Sequence, residues 1–278
     1  MDLPQIDEIF ELMGKLEGKI PGPKVQEWID SIAEPEYGLV SSLVKNLLNE
    51  NSTYIEKFLR ILRVFCQFSP EKVGPQLDNE EFKEGLKTYL EKKRAEEVSY
   101  DAFIILAQQE DLDYSLALAK QCFDSLEYLQ DELACKAVLS ILVRIFIHDQ
   151  QIMVECCNQH KNARHFGEIL LHMINRSEDK LLEDCLECIK NLLKCEDTMD
   201  TFFYTNDLKT LCDIVLSHLS TVSDEELVKP LLEVMLALLE NPSFFAMEHR
   251  VSDIKEVVVT FEAPSLTVVT QEILNAMI

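Results

Sequence analysis

Long stretches of the chain place apolar residues every three to four positions, the spacing of a helix buried along one side. After Ser52, a residue suited to cap a helix, Ile55, Phe58, Leu59, Leu62, Phe65 and Cys66 mark one face. Ile61, Val64 and Phe68 fill the opposite side, so this helix is predicted to be buried almost all round. Leu231 to Leu239 reads the same way, interrupted only by Glu233 and Ala237. Ser223-Asp224-Glu225-Glu226 has the form of a capping box ahead of Leu227, and Asn241-Pro242 that of a cap before a proline in the first helical position. Thr205-Asn206 opens a further helix, with Leu208, Leu211, Cys212, Val215 and Leu219 on one face and Lys209, Asp213, Ser217 and Ser220 on the other. Glu256 to Phe261, with three successive valines, is the run that periodicity leaves undecided between helix and strand.

Helices apolar on more than one side, joined by short polar turns, predict stacking in layers. Glycine supports an all-α class: there are 7, and only Gly167 lies beyond residue 85. Prolines sit at element edges, as in Ser69-Pro70 and Asn241-Pro242. The helix ends around Phe68, Asp149, Asp197 and Pro242 fall near multiples of ~40 residues, the period of armadillo and HEAT repeats, and about six or seven such units fit the length. The expected architecture is an armadillo/HEAT-like α-solenoid, one elongated domain over residues 1–278. Pro21-Gly22-Pro23 is the best break, and it sets off residues 1–23 as an N-terminal helix and linker.

Charge narrows the partners. With 50 acidic against 26 basic side chains the formal net charge is −24, which disfavours nucleic acid and anionic membranes. No window approaches the ~20 apolar residues of a membrane span, so no membrane insertion is expected. Asp2, Asp7 and Glu8 make the first residues unlike a signal peptide or presequence, and a cytoplasmic chain is expected. Nine cysteines, an odd number, lie mostly among apolar helical neighbours, where a thiol is a small hydrophobe. Cys185-Leu186-Glu187-Cys188 has CxxC spacing with Cys195 and His172 not far off, but it sits inside the helical run Leu181 to Leu193 rather than on the tight turn of a zinc knuckle. Neither metal nor cofactor is expected. Phosphate loops and GxSxG elbows are missing from the sequence, and paired carboxylates such as Glu80-Glu81 read as solvated faces. Cys156-Cys157 near His160 is the one arrangement resembling a thiol nucleophile with a base; its apolar lead-in, Gln151 to Val154, makes it a helix end instead. The expected function is therefore non-catalytic. Trp28 is the single tryptophan, so the Trp-Asn ladder by which importin-like arrays hold extended peptides lacks its parts, and a helix or folded surface is the better partner.

Three segments carry a family resemblance. His160 to Leu171 followed by Asn175-Arg176-Ser177-Glu178-Asp179, then Phe202 to Leu208 with Leu211 to Ile214 downstream, then Phe244-Phe245-Ala246-Met247-Glu248-His249-Arg250, resemble the leucine-rich region of the WISH/DIP/SPIN family in order and spacing. They span about residues 133 to 255, and the part before 130 matches in helical character alone. The resemblance implies an armadillo-like domain that binds and activates the actin-related protein 2/3 complex without a preformed filament. Linear, unbranched actin filaments would result, with the filament pointed end contacted only indirectly, at cortical or endocytic actin sites. The SH3 domain and proline-rich segments of the animal members have no counterpart in these residues. Candidate protein-binding residues, taken from the matching segments, are Arg164, His165, Arg176, Tyr204, Asn206, Asp207, Lys209, His249 and Arg250. Each also has a structural explanation: Thr205 or Asn206 as a cap, Asp207 as a first-turn charge, Tyr204 as a packed ring, and Arg176 as a partner for Glu178 or Asp179. Helical character alone would fit a generic scaffold, such as a GTPase- or formin-binding regulatory module.

Overall fold

The computed structural model describes residues 3–16, 19–47, 54–95, 99–109, 114–129, 131–176, 180–199, 202–222, 224–261 and 263–277. Among these the secondary structure is helical throughout, and no strand occurs. In chain order the helices are α1 (Leu3–Gly14), α2 (Pro23–Ala33), α3 (Leu39–Leu47), α4 (Ile55–Phe68), α5 (Pro70–Leu77), α6 (Glu80–Lys92), α7 (Tyr100–Ala107), α8 (Leu116–Ser125) and α9 (Glu132–His148). They continue as α10 (Gln150–Gln159), α11 (Ala163–Ile174), α12 (Lys180–Lys194), α13 (Thr205–Thr221), α14 (Glu225–Glu240), α15 (Pro242–Phe245), α16 (Val251–Val258) and α17 (Thr267–Ala276). The undecided run at Glu256 is thus the end of α16 and the turn after it. No helix among the described residues is long and apolar enough to cross a membrane.

The chain divides into two compact units, residues 1–121 with 128–141 and residues 122–127 with 142–278. The first is organised around α4, which packs against α1, α2, α3, α5 and α7. Phe58, Leu59, Ile61, Leu62, Val64, Phe65 and Cys66 are all buried, so α4 is covered on both faces, as its apolar pattern predicts. The expected cap Ser52 lies outside the described residues; Tyr54 immediately precedes the helix. Arg63 is drawn inside with the apolar residues and ion-pairs with Asp101 of α7 at 2.6 Å. A polar seam joins α2 to the end of α4 and to α5: the Gln26 amide donates to the Phe68 carbonyl (2.7 Å), and that of Gln76 to the Ala33 carbonyl (2.8 Å).

The second unit is organised around α14, which packs against α12, α13, α15 and α17. Leu231, Leu232, Val234, Met235, Leu236, Ala237, Leu238 and Leu239 are buried, again on more than one side. Its N-terminus differs from the expected capping box on Ser223, which lies outside the described residues. Asp224 is the cap, its carboxylate accepting from the Glu226 N–H at 3.0 Å. Asp caps as well as Ser and adds a charge attracted to the helix N-terminus.

The repeat shows in the bonds that tie one layer to the next. In the second unit Asn162 donates to the Phe123 carbonyl, Asn158 to that of Asp197 and Asn241 to that of Met199, at sequence separations of 39, 39 and 42. His218 meets the Ile174 carbonyl at a separation of 44, and Lys190 meets Glu233 at 43. The seam from α2 to α4 and α5 has separations of 42 and 43. Within each unit the helices therefore stack with the ~40-residue period of an α-solenoid.

Asn241 illustrates what such a bond contributes. Its side chain is fully buried. Oδ1 accepts from the Phe244 N–H (3.1 Å), capping α15, while Nδ2 donates to Met199 (2.8 Å). Asn241→Ala removes the cap and takes the donor from the half-buried Met199 carbonyl, an expected loss of about 1–2 kcal/mol. Asn241→Ser, which keeps a capping oxygen without burying a charge, should lose less; denaturant titration measures both.

Candidate protein interface

Helix α13 and its N-cap Tyr204 carry four of the nine candidate residues. Leu208, Leu211, Cys212, Val215, Leu216 and Leu219 are buried, and the helix lies against α11, α14, α15 and α16. Asn206, Thr210, Asp213 and Ser217 are exposed along the opposite stripe, and Lys209 is half-buried beside it. The start of the helix corrects one expectation. Tyr204, extended at φ −76° and ψ 162°, is the N-cap position, and Thr205 and Asn206 are the first two helical residues rather than caps. The cap bond comes from the other direction: the Asp207 carboxylate reaches back to accept the Tyr204 N–H at 3.0 Å. A carboxylate at the third helical position can do this whatever side chain precedes the helix.

Two clusters form along α13. At its N-terminus the Arg164 guanidinium of α11 lies over the Tyr204 ring, 4.4 Å from the centroid, and Tyr204 is 46% exposed. Such a cation–π contact fixes two exposed side chains against each other. His165 Nδ1 is 3.5 Å from a Glu168 carboxylate oxygen. Burial, and secondarily the nearby Glu168 charge, hold the Asp207 carboxyl above its ordinary range. Arg164, His165, Glu168, Tyr204 and Asp207 thus make one charged patch.

Nine residues further along, about 13 Å up the helix axis, the second cluster gathers on Asp213. His249 Nε2 and Arg250 Nη1 each lie 3.2 Å from the same Asp213 oxygen. Arg250 Nε also bonds the Asp253 carboxylate, one turn into α16. Behind them the His249 ring meets the buried Phe244 ring edge-on, with centroids 6.3 Å apart. The turn that presents them has two non-glycine residues in the left-handed region, Glu248 (φ 49°) and Arg250 (φ 54°). An L-residue there is strained by roughly 1–2 kcal/mol.

Arg176 stands apart. It follows α11 at the end opposite Arg164, its N–H bonded to the Met173 carbonyl at 3.0 Å, and its expected partners Glu178 and Asp179 lie outside the described residues. Asn206 is exposed, and its carbonyl accepts the Thr210 hydroxyl at 2.9 Å.

Residues 106–254 match the family model described as SPIN90/Ldb17, leucine-rich domain, which is more than half of the chain. The chain belongs to the SPIN90/Ldb17 leucine-rich domain family. All nine candidate residues fall within the matched range, which also takes in α8 and α9, ahead of the three segments that carry the resemblance. Among curated proteins, Protein LDB17 of Saccharomyces cerevisiae is 32% identical over 99 residues. That alignment spans 34% of this chain and 20% of the yeast protein. A solved structure of an engineered protein aligns with 97% of this chain and 78% of its own length, at 14% identity. Its TM-score of 0.33 is too low to bear on fold or function.

Within this SPIN90/Ldb17 domain the cysteines have structural surroundings. Cys156 and Cys157 are buried in α10, and burial pushes the Cys157 thiol well above its ordinary range. A thiol so raised is a poor nucleophile at neutral pH. His160, the base in that hypothetical arrangement, follows α10 as its C-cap, accepts the Asn162 N–H on Nδ1 (3.2 Å), and has Nε2 3.4 Å from Asp124. Cys185 and Cys188 are buried in α12, where desolvation raises the Cys188 thiol. Burial pushes the thiol of Cys212, and that of Cys66 in the first unit outside the matched range, up to about 12.

Sequence reasoning passed over Glu168, Asp213, Phe245 and Glu248. A regular helical pattern hides the first two, since an exposed acid at helical spacing looks like any solvated face. Phe245 stands beside Phe244 in one matching segment, and nothing local says which ring turns out. It is Phe245, 53% exposed, while Phe244 is buried.

Proposed function

We propose that this domain binds the actin-related protein 2/3 complex through the face formed by α11, α13 and the α15–α16 turn, and activates it without a preformed filament. The product is a linear, unbranched actin filament. The observation that carries the reading is the family match over residues 106–254, which spans every element of that face. Family membership points to an actin-related role, and a match to a leucine-rich domain indicates no catalytic family. Activation then needs only a difference in affinity: the domain must bind the active arrangement of the two actin-related subunits better than the inactive one, and it shifts the equilibrium by that difference.

Arg164, Tyr204, Asn206 and Lys209 are the outward contact residues in this reading, with His165 and Arg176 at its margins. Asp207, His249 and Arg250 hold the backbone and the neighbouring helices in place. Binding through charged contacts such as Arg164 and Lys209 is expected to weaken with salt. The test is bulk actin assembly with the purified complex, without seeds or branching factors, alongside single-filament imaging. Loss of the nucleation lag with unbranched filaments is the expected result. An unchanged lag together with no detectable binding would overturn the reading.

A further inference from the structure

We propose that the α15–α16 turn docks a protein surface that offers a lysine or arginine beside an apolar pocket, with Glu248 and Phe245 as the residues it receives. The proposal rests on the reading above in taking the 2/3 complex as that partner.

The argument starts from the two left-handed residues. Arg250 has an internal reason for its conformation, because in that geometry its guanidinium holds both Asp213 and Asp253. Glu248 has none. It is exposed, and its carboxylate makes no hydrogen bond or ion pair among the described residues. Glycine would take up the same backbone without strain. A glutamate held there, with a side chain unused inside the chain, is spent on something outside it.

The neighbouring features give that something its chemistry. The Glu248 N–H bonds the Phe245 carbonyl at 3.2 Å, so one tight turn fixes both residues. Phe244 fills the core, which leaves the Phe245 ring outward on a backbone that cannot easily swing it in. The nearby basic side chains, His249 and Arg250, are turned onto Asp213. What this turn offers to a partner is therefore an aromatic anchor and an unneutralised carboxylate. A buried aromatic beside a satisfied charge is the usual composition of an interface hot spot. The net charge of −24 already favours a basic partner.

The experiment compares the affinity of the purified 2/3 complex for the full chain and three variants, with thermal unfolding of each. Glu248→Gly should raise Tm by about 1–3 °C through relief of strain while weakening binding about fivefold to tenfold. Glu248→Gln should leave Tm unchanged and weaken binding similarly, since it keeps the shape and removes the charge. Phe245→Ala should weaken binding at least tenfold, roughly 1.4 kcal/mol, with little change in Tm. If the unaltered chain binds and all three variants match it within twofold, the docking surface is wrong and the reading above stands. A lower Tm for Glu248→Gly would also overturn the proposal, by showing that the side chain acts within the chain. If the unaltered chain does not bind, the reading above fails and this surface fails with it.

Discussion

Phe166→Ala is expected to destabilise the second unit by about 3–5 kcal/mol, the range for removing a buried aromatic ring. Phe166 is fully buried, and its ring is shared by three others. Centroids lie 5.2 Å from Phe123, 5.5 Å from Phe146 in an edge-to-face arrangement, and 6.1 Å from Phe202. Aromatic pairs at such distances contribute beyond the area they bury. The cavity left behind would be walled by stiff rings from separate elements, which cannot all move in to fill it, so the upper part of the range applies. Phe166→Leu, which keeps most of the volume, should lose about 1–2 kcal/mol. The substitution reaches the candidate interface as well. Arg164 and His165 immediately precede Phe166, and at Gly167 the nearest Phe202 atom is only 3.4 Å from where a Cβ would lie. Phe202 leads directly to Tyr204. Phe166→Ala should therefore loosen the Arg164–Tyr204 contact and weaken partner binding even below the unfolding midpoint. Denaturant titration checks the first effect; a loss under 1 kcal/mol would mean that the ring cluster is not the keystone of this unit.

Much of the architecture is legible in the sequence because each central helix advertises itself. α4 and α14 are apolar on more than one side, and a helix of that kind has to be surrounded by others. The ~40-residue spacing of helix ends reappears as the separation between Asn158 and Asp197, or Asn241 and Met199, in bonds between layers. The start of α13 is less legible. Tyrosine is not a capping residue by type, so attention goes to Thr205 and Asn206, while the working signal is the acid at Asp207. The second cluster is hidden for another reason. His249 and Asp213 are 36 residues apart and meet only because α16 stacks beside α13. The left-handed conformations of Glu248 and Arg250 carry no glycine or asparagine to announce them. Which charged residues face inward is set by the next layer, and no local pattern reports it. Arg63 is the plainest example: a cation in the middle of a helix that is buried on both faces.

Asp101→Ala is expected to destabilise the first unit by about 2–3 kcal/mol. The Arg63–Asp101 pair links the central helix α4 to α7 at 2.6 Å, with side chains only 11% and 18% exposed. Removing one partner leaves a guanidinium, already stripped of most of its water, without that counter-charge. A fully buried pair would lose about 3–5 kcal/mol, and the residual exposure brings the figure down. The pair itself is a different quantity from the damage done by halving it. Arg63→Met with Asp101→Leu removes both charges and leaves apolar groups of similar reach in a site that is already largely buried. That double variant should lie within about 1 kcal/mol of the starting protein, because the desolvation of both ions disappears together with their attraction. A double-mutant cycle by denaturant unfolding reads the coupling directly. Strong coupling with a near-neutral double variant would show that the pair sets which faces of α4 and α7 meet rather than adding stability. A double variant as unstable as Asp101→Ala would instead make the ion pair a true source of stability at the centre of this unit.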